Sequence, residues 1–160
     1  MSNPRVDFSP IFQREPLRLP GGAKVAVWVI INMEEWDIHE AMARTVLPTP
    51  QGREVIPDIP NFAWFDYGLR VGFWRLKRVL DRRGIKATVS LNASVCLTYP
   101  QVVEESLKSD WELMGHGFIQ RVLNAEPDER EIIRRSINTI REFSGKAPRG
   151  WMGPGLAETF

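Results

Sequence analysis

Two adjacent carboxylates, Glu34-Glu35, follow the apolar run Val25-Ala26-Val27-Trp28-Val29-Ile30-Ile31, and a histidine set between glycines, Gly115-His116-Gly117, follows a second apolar stretch. Paired carboxylates at a strand end can divide labour: one takes a proton from water while the other orients a group or holds a metal. An imidazole there can stabilise an oxyanion, protonate a departing nitrogen or bind a metal, and flanking glycines let a substrate come close to the backbone. A third cluster, Arg149-Gly150-Trp151, offers a guanidinium able to anchor a carboxylate and an indole suited to a pocket wall. Asn92 closes another apolar stretch; its amide fits a substrate carbonyl and fits a turn equally well. His39, farther into a loop, is a weaker candidate, and the aromatic cluster Phe62, Trp64, Phe65 and Tyr67 reads first as core packing, with one or two of them facing a ligand if the loop folds over the strand ends.

Such groups converge only if the strands that carry them are parallel neighbours, because then their carboxyl ends share one face. The β-branched run from Lys24 to Asn32 suits a strand covered on both sides. From Asp37 to Pro60 four prolines and no clean period predict a long loop, a length usually reserved for function or disorder. Leu69, Phe73, Leu76 and Leu80 then follow a helical spacing that Gly84 stops. Ile85 to Asn92 returns to strand character, Pro100 opens a helix through Lys108, and Trp111 to Gly115 is a third strand. Asp128 and Glu129 start a last helix with Ile133, Ile137 and Ile140 on its inner stripe, and Gly145 ends it. A fourth strand begins near Ala147. This alternation demands an α/β fold with parallel pairing and right-handed crossovers. Four strands and three helices amount to half of a (β/α) barrel, which usually takes about 250 residues. Residues 1–22, proline-rich and ending in Pro20-Gly21-Gly22, are expected to form an extended arm wrapping the surface of a single domain over 23–160.

The charge balance, 21 basic against 20 acidic side chains for a net +1, gives no electrostatic case for nucleic acid or an anionic membrane. No apolar run reaches the length of a bilayer span and the start lacks the pattern of a secretory signal, so a cytoplasmic protein is expected. The lone Cys96 fits a reducing compartment; among Val95 and Leu97 it reads as a buried thiol, not a nucleophile.

Read in order, Asn32-Met33-Glu34-Glu35, Gly115-His116-Gly117 and Pro148-Arg149-Gly150-Trp151 resemble the first three motifs of the polysaccharide deacetylase superfamily. Asp66-Tyr67-Gly68, Arg70, Gly72 and Gly150-Trp151-Met152-Gly153-Pro154-Gly155 resemble its allantoinase-like and cyclic-imide-hydrolase-like branch. The resemblance implies the N-terminal part of a distorted (β/α) barrel, with the family's later motifs beyond Phe160. It matches Glu34 to the catalytic base, Glu35 to the metal-binding acid, His116 to the first of two histidines four apart, and Arg149 to the arginine that orients the base. Gln120 stands where the second histidine would be. Glutamine is a poor transition-metal ligand, so no cofactor is expected; a bound zinc would fall to Glu35 and His116.

The activity so implied is hydrolysis of a carbon-nitrogen bond other than a peptide bond. The substrate would be a cyclic amide, ureide or imide, or an N-acetylated carbohydrate. Glu34, His116 and Arg149 are the expected catalytic residues, with Asn92 and Trp151 binding substrate. A non-catalytic half-barrel that pairs through an exposed sheet edge is the reading from a different class, and a metal-dependent deacetylase is a third.

Overall fold

The computed structural model describes residues 5–42, 44–49, 52–157 and 159. Three parallel strands lie side by side in chain order: β1 (Ile30–Met33), β2 (Thr88–Leu91) and β3 (Glu112–Gly115). Register aligns Met33 with Leu91 and Leu91 with Gly115, so all three strands end on one line. Beyond β3, Trp151 forms a single parallel bridge with Gly115. The expected fourth strand is thus reduced to one pairing, with Arg149 and Gly150 as its approach.

Between β1 and β2 run α1 (Ile59–Tyr67), a π turn (Gly68–Gly72) and α2 (Phe73–Asp81). The helical region therefore starts ten residues before the Leu69 stripe. Asp58 caps it by accepting from the Asn61 N–H, and Pro60 sits in its first turn, where no backbone donor is needed. Between β2 and β3 come α3 (Val95–Thr98) and α4 (Pro100–Lys108). The last helix, α5 (Glu129–Ser144), carries the cap and stop read from its sequence. Asp128 accepts from Glu131 N–H at 2.9 Å, and Gly145 adopts φ 76°, open to glycine without strain.

The core lies between the sheet and these helices. Ile31, Met33, Val89, Leu91 and Leu113 face Leu69, Phe73, Leu80, Val102, Val103 and Ile140. Burial of this kind supplies about 25 cal/mol per Å² of apolar surface and is what holds the strand ends in line. Leu76, read as part of the buried stripe, is instead half-exposed.

The first strand is shorter than its apolar run. Pairing begins only where β2 offers a partner, so residues 25–28 stay outside the ladder. Val27 is 84% and Trp28 65% exposed, and the covered strand expected from Lys24 onward is corrected to four residues. Apolar composition reports a wish for cover; the backbone partner decides its extent. The arm is likewise extended, with two short 3₁₀ turns that bury no residue. No helix among the described residues is long and apolar enough to cross a membrane.

Candidate functional site

Glu34, Asn92 and His116 are each the first residue past the end of a strand, and the register puts them in one row. Glu34 and His116 flank β2, so their backbones stand two strand spacings apart, about 9–10 Å. Their side chains close that gap: Glu34 Oε1 lies 3.6 Å from His116 Nε2. Beneath them Asn92, fully buried, holds the row together. Its Oδ1 accepts from the Glu35 N–H at 2.9 Å, and its Nδ2 donates to the His116 carbonyl and to Gln120 Oε1 at 3.3 Å. Both amide protons are thereby used inside the protein, so Asn92 is a brace between strand ends and has no donor left for substrate.

The other face of the His116 ring is fixed too. Nδ1 lies 2.6 Å from the Met152 carbonyl, and a carbonyl only accepts, so Nδ1 carries a proton. In the neutral ring this leaves the Nε2 lone pair directed toward Glu34. Met152 owes its place to Trp151: the Gly115 N–H donates to Gly150 O at 3.0 Å and the Met152 N–H to Gly115 O at 2.9 Å, which locks the segment against β3. Trp151 lines a cavity of about 380 Å³ with Leu123, Ile133 and Leu156, and Glu34 is not among the residues around it. It acts on the site through the backbone it positions.

Glu35 is held differently from Glu34. Its carbonyl accepts from the Gln120 N–H at 2.8 Å, and its Oε2 accepts from Thr98 Oγ1 at 2.9 Å. Behind it, the Tyr99 hydroxyl donates to Asp66 Oδ1 at 2.5 Å, and Arg70 pairs with the same Asp66 carboxylate. Burial, followed by the Asp66 hydrogen bond, pushes the Tyr99 phenol up to about 12. Thr98, Tyr99 and Asp66 thus form a fixed polar wall. In the sequence only Asp66 carried a signal, because Leu97-Thr98-Tyr99 reads as an unremarkable helix end.

Arg149 is not brought to the carboxylates. The Gly115–Trp151 bridge sets it two residues back, alongside Leu113, about 7 Å short of the strand ends. It is exposed and lines a cavity of about 330 Å³ with Trp111, Glu112 and Ser144. Among the described residues no hydrogen bond or ion pair joins it to Glu34. His39 is exposed in a turn closed by its own N–H to Asp37 Oδ1.

A cavity of about 570 Å³ opens beside Glu34. Trp36, Trp64 and Phe65 wall it, the π turn contributes Gly68 and Gly72, and Arg44 reaches it from the long loop. Trp36 and Phe65 stack at 4.9 Å with a tilt of 39°. Two of the aromatic residues read as core packing, Trp64 and Phe65, therefore face this space.

The donor set does not suit a divalent transition metal. Among the described residues no group of three or more His, Cys, Asp or Glu side chains could hold one. Gln120 supplies an amide where a second imidazole would be needed, and its oxygen already accepts from Asn92.

Comparison with known proteins adds a family and a fold. The family profile described as polysaccharide deacetylase matches residues 62–159, a span that starts beyond Glu34 and Glu35. A Schizosaccharomyces pombe protein named "Putative polysaccharide deacetylase" is 27% identical over 147 residues, 82% of this chain and 45% of that protein. The crystal structure of PuuE allantoinase superposes with a TM-score of 0.76 at 22% identity, covering 91% of this chain and 53% of that one. A Pseudomonas aeruginosa PAO1 structure named "probable Polysaccharide deacetylase" gives 0.73 at 23% identity, covering 88% and 51%. The chain spans about half the length of these relatives, and the parallel α/β architecture matches the corresponding part of their fold.

Proposed function

Since this chain belongs to the polysaccharide deacetylase family, we propose that it contributes the water-activating side of a hydrolase acting on carbon-nitrogen bonds other than peptide bonds, with a cyclic amide, ureide or imide as the leading substrate class. The observation that carries the reading is the 3.6 Å approach of Glu34 to a histidine whose other nitrogen is already committed to Met152 O.

Glu34 takes a proton from water, and the hydroxide attacks the amide carbonyl. The proton passes to His116 Nε2, whose lone pair faces Glu34, and from there to the departing nitrogen, so water divides between the acyl carbon and the amine. Held by Met152, the ring cannot rotate away between the two transfers. Glu35 stays clamped by Thr98 and keeps the loop in register. Trp36, Trp64 and Phe65 exclude water from one side of the reacting carbonyl and offer flat faces to a planar ring. N-deacetylation of a carbohydrate is the second reading, supported by the family match.

The test is Glu34→Gln in an assay of ring opening of simple imides and of acetate release from N-acetylglucosamine oligomers. Turnover falls by about 10²–10⁴-fold, the usual worth of a positioned base, while the melt stays put because Glu34 is partly exposed. Undiminished activity in that variant would remove Glu34 from the role. Whichever substrate is opened decides between the two classes.

A further inference from the structure

The long loop from Asp37 to Asp58 is tied down at three places. Glu40 pairs with Arg121 at 3.2 Å, and Arg121 also reaches Glu126 at 3.6 Å. Met42 is buried. Farther on, Asn61 Oδ1 accepts from the Val46 and Leu47 N–H groups at 2.7 and 2.8 Å, while its Nδ2 donates to Leu47 O at 3.0 Å and to Asp58 Oδ2 at 2.7 Å. Asn61 is itself buried and fully used, so this anchor is built into the start of α1. Arg44 lies between Met42 and the Asn61 anchor, and the tethered loop delivers it to the cavity that Glu34 shares.

Among the described residues Arg44 has no hydrogen-bond or ion-pair partner, although it is an exposed cation in a space that also contains a carboxylate. Apart from Glu34 and Asn32 the rest of the lining is apolar, and four of its residues are aromatic: Trp36, Trp64, Phe65 and Phe73. A fork of N–H donors at the rim of an aromatic slot matches a planar ring that bears a carboxylate, because guanidinium binds carboxylate in a bidentate manner and aromatic faces take the ring. We propose that Arg44 is the specificity residue of this site and selects a cyclic amide or imide carrying a carboxylate, held so that its amide carbonyl meets Glu34. This rests on the hydrolase reading above and adds the charge of the substrate to it.

Binding, not turnover, tests it, so its fate is separate from that of Glu34. The probes are a succinimide with a pendant acetate and the neutral methyl ester of the same compound, titrated calorimetrically into the full chain. The acid binds about ten-fold more tightly than the ester, the scale of one charge-assisted hydrogen bond. Arg44→Ala erases the preference with no change in melting, Arg44→Lys keeps part of it, and Arg53→Ala, which changes an exposed arginine of the same loop outside the cavity, keeps all of it. Equal affinity for the two probes, no binding of either, or a preference that survives Arg44→Ala overturns the proposal. Loss of the preference in Arg53→Ala overturns it as well, since a diffuse loop charge would then be responsible. Glu34→Gln keeps the preference in these titrations whether or not it hydrolyses the ring.

Discussion

Gly115 and Trp151 occupy adjoining space so closely that a Cβ on Gly115 would lie 2.5 Å from the indole Cε3. The last residue of β3 is thus the seat of the aromatic ring whose neighbour, Met152, fixes His116. Glycine is required here for close approach, not for its backbone freedom.

Gly115→Ala therefore acts on both stability and the site. Overpacking of this order costs about 1–3 kcal/mol, read as a lower urea midpoint at constant slope. Trp151→Leu in the same chain relieves the clash, and the double variant is less destabilised than the sum of the two. Additive losses would show that the indole and the β3 terminus do not share this contact.

His116 has its proton at Nδ1. In the neutral form of the ring, nitrogen-detected NMR is expected to show a protonated Nδ1 and a bare Nε2, as the Met152 carbonyl requires. The opposite tautomer would break the proton path from Glu34 to the leaving nitrogen. Glu34→Gln replaces an acceptor with an amide that can donate to Nε2, and the Nε2 resonance moves more than Nδ1.

Much of the scaffold was legible because its signals are local. Pro100 marked the start of α4, Asp128 and Gly145 bounded α5, and the strand-like runs contained β2 and all of β1 but Met33. Val27 and Trp28 belonged to the strongest apolar run in the chain and lie exposed, because strand burial depends on a partner that no single segment encodes. The pairing of Glu34 with His116 followed from strand order alone. Arg149 did not join them, since its depth depends on one bridge register, and Thr98 and Arg44 were invisible because only the placing of α3 and the path of the long loop bring them to the site.

Asn92→Ala tests the brace. It strands the His116 carbonyl in a buried place and the Glu35 N–H and Gln120 Oε1 in partly buried ones, for a loss of about 2–4 kcal/mol. Asn92→Asp keeps the acceptor for Glu35 but turns an oxygen toward two other oxygens, and it falls nearly as far. A small effect of either change, measured by chemical denaturation, would mean that the strand ends are held by the ladder alone.

The Tyr99 phenol, raised to about 12 by burial and then by Asp66, gives a signed pH effect. Because the folded value exceeds the unfolded value of about 10, its contribution is complete below about pH 10 and disappears as pH rises through about 12. Phenolate absorbance should show one of the two tyrosines ionising late. In Asp66→Asn the charge that opposes ionisation is gone, and the late step moves to lower pH. An unmoved step would leave burial as the whole cause.

Of the three ties on the long loop, the two polar ones differ in magnitude. The Arg121 pair with Glu40 is exposed, and the one with the largely covered Glu126 is long at 3.6 Å; an exposed ion pair contributes about 0–1 kcal/mol, so Arg121→Ala leaves the melt nearly unchanged. Asn61 is buried with four bonds to the loop and to Asp58, and Asn61→Ala leaves donors and acceptors unpaired, for about 2–3 kcal/mol. Limited proteolysis is expected to cut between residues 37 and 58 in Asn61→Ala well before it does in Arg121→Ala. Early cleavage in Arg121→Ala instead would place control of the loop, and with it of Arg44, in the surface pairs.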